Sequence, residues 1–412
     1  MYKYLLPLVV AAWPACAQAE IEPSAPLTLK AALALAGAAN PGLSAARHEL
    51  GALDGALRQA GLAPNPTLSV ERVDTRRADG DRRETTLLLS QPLELGGKRA
   101  ARVQAAERGR DGAAAELALR QAELHAGVID GWFAVLAAQE QVRLAQQAAE
   151  LAQRAAGATA RRVVAGKVSP VEETRARVAA STVQLDLLRA RSALAGARQR
   201  LAVLWGNPAP RFERVDGAIE ALSQLPELPP AAVLRGRLQQ APALAQARAE
   251  LARRQALAQL ELGQRTPDVS FHVGGKRSEE LGRTQAVFGL SLPLPLFDRN
   301  QGGVLEAARR VDKARDELAA ATLRLESDLA QAGADFELAR QQAQALRVDI
   351  LPGAQSAYDA ASTGFDYGKF GFLDVLDAQR TLLQAQTLYL NALADAHRAL
   401  AAIDRLLGAT HD

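Results

Sequence analysis

The chain is built twice. Adding 201 to a residue number carries Pro41 to Pro242, Arg47 to Arg248, Glu49-Leu50 to Glu250-Leu251, Pro66 to Pro267, Ser90 to Ser291, Pro92-Leu93 to Pro293-Leu294 and Glu116-Leu117 to Glu317-Leu318. Adding 202 carries Gly166-Lys167 to Gly368-Lys369 and Gly206 to Gly408. Prolines and glycines mark where helices and strands begin and end, so their recurrence at one offset means that the same succession of elements is made twice. The fold is a tandem duplication.

Each half carries a helical stretch too long for a globular domain. Lys98 to Ala165 contains no proline, and at 1.5 Å per residue it makes a helix of roughly 100 Å. Leu117, Leu124, Val128, Trp132 and Val135 recur on it at helical spacings, as expected of a helix packed lengthwise against others, and the abundant alanine permits close approach. A helix is predicted before it, from Leu27 to about Ala63. Another follows the turn at Gly166 to Pro170 and ends at Leu204. Gly206 to Pro230, with five prolines, reads as a connector. In the second half Pro352 predicts a kink or break.

Between the helices the period changes from helical to alternating. Val269, Phe271 and Val273 alternate with Ser270 and His272, and Phe288, Leu290 and Leu292 with Gly289 and Ser291. The first half repeats this at Leu68, Val70, Leu87 and Leu89. These are four strands of roughly ten residues, the length of a tilted strand that crosses a bilayer. Arg72 to Glu84 and Gly274 to Arg283 are polar and read as water-exposed hairpin loops. Four strands cannot close a membrane barrel, and lipid does not tolerate open strand edges. Several chains must share one barrel.

Other classes of function find little support. The 412 residues are 48% hydrophobic and 23% charged, and the net charge of +3 comes from acids and bases interspersed along the chain, so no nucleic-acid partner is expected. Met1 to Ala19 has the layout of a cleaved secretory signal peptide: Lys3, an apolar run and Ala17-Gln18-Ala19. The lone cysteine, Cys16, lies within it, so the mature chain has no disulfide; lipidation of Cys16 is the minority alternative. His48, His125, His272, His397 and His411 have no ligand spacing, so no metal site is expected. Gly96-Gly97 and Gly302-Gly303 lack the pattern of a phosphate loop. No nucleophile stands near a base, and the chain is read as neither an enzyme nor a cofactor protein.

Two turns close the long helical hairpins. Gly166-Lys167 and Gly368-Lys369 end the first helix of each pair, where glycine takes the left-handed cap. The second turn, YGKFGFLDVLDAQ from Tyr367 to Gln379, continues into a helix that starts with Asp374 and Asp377 on one face. The first turn, Ala165 to Arg177, lacks the paired aspartates.

Across nearly the whole mature length the chain resembles the outer-membrane efflux proteins, the TolC-like channels of tripartite pumps. SQPLELGGKR at Ser90 to Arg99 and LPLPLFDRNQGG at Leu292 to Gly303 are most similar to the cobalt-zinc-cadmium branch of heavy-metal efflux. The resemblance implies a mainly α fold with a small β part, in which long helical hairpins form a periplasmic α-barrel. It implies a homotrimer that pools its strands into a 12-stranded outer-membrane β-barrel in a Gram-negative bacterium, in contact with lipid. It also implies a periplasmic adaptor, or membrane fusion protein, and an inner-membrane proton-driven transporter of the resistance-nodulation-division class, docked at the hairpin turns. The connector would lie around the middle of the helical barrel.

By the same resemblance Asp374 and Asp377 line the periplasmic aperture as stacked carboxylate rings that favour cations, and Gly166, Lys167, Gly368 and Lys369 form the hairpin tips that face the adaptor. Some relatives latch the closed state with a tyrosine and an arginine. Phe365 and Phe370 stand there instead, which implies closure through apolar contacts. The expected organisation is a signal peptide (1–19), a first repeat (20–205), a connector (206–230) and a second repeat (231–412). Two other readings stay open: a duct for drugs or other small molecules, and, from another class, a periplasmic coiled-coil spacer with no channel.

Overall fold

The computed structural model of the chain describes residues 26–75, 82–217, 222–279 and 282–408; the expected signal peptide with Cys16 lies outside them, as does His411. In chain order the elements are α1 (Leu29–Ala39), α2 (Pro41–Ala60), β1 (Thr67–Thr75), β2 (Arg82–Leu93), α3 (Lys98–Val164), α4 (Pro170–Val203), α5 (Ala231–Leu238), α6 (Pro242–Gly263), β3 (Val269–Ser278), β4 (Arg283–Ser291), α7 (Gln301–Ala345), α8 (Leu351–Asp366) and α9 (Phe372–Leu407). The duplication is visible in the fold, since α4 and α9 begin at residues 170 and 372.

Two sequence expectations about helices need correction. The single helix from Leu27 to Ala63 is two, because Pro41 cannot continue a helix through Asn40. Asn40 caps α2 instead: its Oδ1 accepts the Leu43 N–H at 2.7 Å, and its Nδ2 donates to the Leu204 carbonyl at 2.7 Å. Pro352, in turn, does not break the second long helix, and the irregularity expected there takes the form of a π-turn just before it. Leu346–Ile350 form a π-turn between α7 and α8, with the Leu351 N–H bonded back to the Leu346 carbonyl. A π-turn takes up one extra residue within a continuous helix. The offset between the halves is 201 at Glu116 and Glu317 but 202 at Gly166 and Gly368. The inserted residue is housed where Pro352 has no N–H to give.

All four strands form one antiparallel sheet in the order β1-β2-β3-β4, so the two halves are joined by the β2–β3 pairing. The strands run further than their apolar patterns. Arg72–Thr75, Arg82–Glu84 and Gly274–Ser278 are strand where polar loops were expected, because the cross-strand ladder continues past the apolar rows. One face carries Leu68, Leu89, Val273 and Phe288 in a single cross-strand row, with Val70, Leu87, Phe271 and Leu290 in the adjoining rows. These side chains are exposed, Phe288 by 78%. The other face carries Ser69, Ser90, Thr86, His272 and the Glu84–Lys276 ion pair at 2.7 Å. An apolar face turned outward is the reverse of a soluble sheet. Among the described residues the outer edges of β1 and β4 are unpaired.

The buried core lies midway along the helices. Leu27, Val128, Trp132, Leu136, Leu201, Phe212 and Leu393 meet there, with the Trp132 Nε1–H donating to the Leu27 carbonyl at 3.1 Å. A second cluster joins Leu238 and Leu244 to Phe336 and Ile403. Towards the turns the buried cluster shrinks to Ala145, Ala149, Leu187 and Ala190. No helix among the described residues is long and apolar enough to cross a membrane.

Candidate functional site at the hairpin turns

The two turns have the same backbone design. At the end of α3, Gly166 takes φ 65°, its N–H bonds to the Val163 carbonyl at 2.9 Å, and the Lys167 N–H reaches the Arg162 carbonyl at 2.9 Å. At the end of α8, Gly368 takes φ 71°, its N–H bonds to the Phe365 carbonyl at 3.0 Å, and the Lys369 N–H reaches the Gly364 carbonyl at 2.8 Å. This is the left-handed helix stop that a residue with a Cβ adopts only at a cost. The Lys167 and Lys369 side chains are exposed and make no ion pair among the described residues.

Asp374 does local work before any other. It stands at the third position of α9, and its Oδ2 accepts the Gly371 N–H at 2.8 Å, which stops the exposed helix start from fraying. Asp377 follows one turn later, also exposed, and both border a groove of about 820 Å³ between α3, α4 and α9. Asp186, Arg189 and Arg380 share that groove, so the acidic pair faces a mixed-charge surface within the single chain. Gln379 is buried behind it, with its Nε2–H donating to the Ala148 carbonyl of α3 at 3.4 Å.

Phe365 and Phe370 are brought to the same turn but held differently. Phe370 folds back over Gly364, where any Cβ would overlap its ring. Phe365 meets Arg162 from the other hairpin: the guanidinium carbon lies 4.2 Å from the ring centroid, and Arg162 Nη2 donates to the Phe365 carbonyl at 3.2 Å. Within the chain the contact at Phe365 is thus cationic as well as aromatic. An arginine within reach of both an aromatic face and a helix-terminal carbonyl gains from each. Arg162 was not singled out from the sequence. The signal lay in the duplication, because position 162 is the counterpart of 364, and so belongs to the matching turn.

Further along α9, His397 is buried and stacked on Phe133 with centroids 3.7 Å apart, and its Nε2 bonds the Leu222 carbonyl at 2.9 Å. Burial pushes its pKa down from the ordinary histidine value, and the Leu222 contact opposes this only in part. At the junction of helices and sheet, Arg102 bonds Glu94 together with the Ala60 and Leu62 carbonyls. The Arg102 hydrogen bond holds the Glu94 carboxyl below its usual range. Among the described residues no group of three or more His, Cys, Asp or Glu is placed to hold a metal ion.

The outer membrane efflux protein family profile matches residues 32–207 and again 233–409. The chain belongs to that family. It is thus an outer-membrane efflux channel whose helices extend into the periplasm, and its family is one of channels, not of enzymes. It is 46% identical over 387 residues to the cobalt-zinc-cadmium resistance protein CzcC of Cupriavidus metallidurans, covering 94% of this chain and 91% of that one. Among solved structures it is similar to CusC, with a TM-score of 0.80 at 18% identity over 93% of this chain and 92% of the other. The CmeC outer membrane channel of Campylobacter jejuni also gives 0.80, at 17% identity over 92% and 85%.

Proposed function

We propose that this protein is the exit duct of a tripartite pump for heavy-metal cations, and that three copies build it. The likeness to CzcC along nearly the whole chain carries the choice of cargo. The trimer is supported by the sheet, whose outward apolar face and two open edges are stable in lipid only when other copies continue the ladder. Three such sheets make a closed barrel of twelve strands. Energy comes from a resistance-nodulation-division transporter in the inner membrane, joined to the hairpin turns through a periplasmic adaptor. The leader 1–19 is removed on export.

At the periplasmic end Asp374 and Asp377 would ring the aperture and favour cations over anions. The Arg162–Phe365 contact would clamp the two turns of each chain together in the closed form. Deletion of the gene, with tolerance measured for cobalt, zinc, cadmium and a panel of drugs, tests the cargo. Loss of metal tolerance alone is expected; loss of drug tolerance alone would overturn the assignment. Chemical cross-linking in isolated outer membranes should stop at the trimer.

A further inference from the structure

We propose that Arg72 and Arg277 form a binding site for the phosphate groups of an anionic lipid in the outer leaflet. This rests on the chain's place in the outer membrane and not on the cargo. The register puts Arg72, Thr85, Arg277 and Thr284 in one row across all four strands. That row lies on the same face as Leu68, Val70, Leu87, Leu89, Phe271, Val273, Phe288 and Leu290, one step beyond the row of Val70 and Leu87. All helices leave the sheet from its opposite end, so the arginines mark the membrane boundary away from the periplasm.

Most other charges nearby are paired, and Glu71 and Arg283, which make no ion pair among the described residues, lie on the opposite, polar face. Glu84 and Lys276 bond at 2.7 Å on the polar face, and Arg83 meets Asp74 at 3.4 Å one row further out, with Glu279 beside Arg83. Arg72 and Arg277 are exposed and make no ion pair among the described residues. The row bordering the apolar belt is thus purely cationic, and the negative charge begins only beyond it. One strand, β2, separates the two arginines, so they stand two strand spacings apart, roughly 10 Å, a span their side chains can close onto one phosphate or use to hold two. Guanidinium groups grip phosphate with paired N–H donors, and the flanking threonine hydroxyls add further donors. An arginine at the edge of hydrocarbon extends its guanidinium to the level of the lipid headgroups, where anionic phosphates attract it. Charge complementarity and continuity with the lipid face therefore select a phosphorylated lipid as the occupant.

The test is titration of bisphosphorylated lipid A into the full-length trimer in detergent micelles. The R72Q/R277Q variant should bind roughly thirtyfold more weakly, R72K/R277K within several-fold of the native protein, and R83Q like the native protein. Unchanged conductance of R72Q/R277Q in planar bilayers shows that the barrel is intact. The proposal is overturned if R72Q/R277Q keeps its affinity, or if dephosphorylated lipid binds as tightly. Full displacement by millimolar inorganic phosphate would reassign the site to free phosphate and sink the lipid.

Discussion

Replacing Arg162 with alanine should loosen the periplasmic end. The side chain makes a hydrogen bond from a charged donor to the Phe365 carbonyl and a cation–π contact with the Phe365 ring. Such a bond contributes about 1.5–3 kcal/mol net, and a partly exposed cation–π contact about 0.5–1 kcal/mol. Fixing a long arginine side chain costs about 1.5–2 kcal/mol of that, which leaves about 0.5–2 kcal/mol per chain. One such contact shifts an equilibrium between joined and parted turns roughly two- to thirtyfold. Three contacts in a trimer would shift it by the product if they act independently. The assay is single-channel recording of purified trimers in planar bilayers, with Arg162→Ala expected to raise the occupancy of high-conductance states at least severalfold. Phe365→Leu keeps the backbone carbonyl and loses only the ring, so it should produce a smaller rise. If Arg162→Ala conducts within twofold of the native channel, the contact does not hold the closed form.

The remaining predictions address the acidic pair, the core and the sheet. Asp374→Asn with Asp377→Asn keeps an acceptor for the Gly371 N–H but removes the charge, so cation preference in bilayer conductance should fall while the helical signal by circular dichroism stays; unchanged selectivity would remove the pair from the aperture. His397, whose folded pKa is depressed by burial, stabilises the fold fully above its unfolded value of about 6.5, and that stability is lost as pH falls. His397→Gln can still donate to the Leu222 carbonyl without titrating, so the decline in Tm between pH 7 and 5 should flatten in calorimetry; an equal decline would place the sensitivity elsewhere. Gly274→Val should block barrel assembly, because a Cβ there overlaps the Leu87 carbonyl oxygen and lies 2.9 Å from the Leu88 Cα. Heat-resistant trimers of normal yield on gels would contradict that.

Much of this molecule could be read from local pattern. Helix and strand periods, the prolines and glycines that end them, and the doubled order depend on neighbours in sequence, so α3, the turns at Gly166 and Gly368 and the four strands were all placed beforehand. Proline was the weaker guide. Pro41 splits a helix that looked continuous, and Pro352 sits in one that looked broken, because the outcome depends on whether Asn40 finds Leu204 and whether a π-turn can absorb the missing N–H.

What tertiary structure alone decided are the contacts between segments distant in sequence. The pairing of β2 with β3 fuses the halves into one sheet and sorts Arg72 and Arg277 onto its lipid face. The approach of the two hairpins brings Arg162 onto Phe365 across 203 residues. Composition and periodicity fix which face of an element is apolar, since that needs only the element itself. Which residues meet across a gap depends on register and on the geometry of closure, and those follow only once all the packed elements are satisfied together.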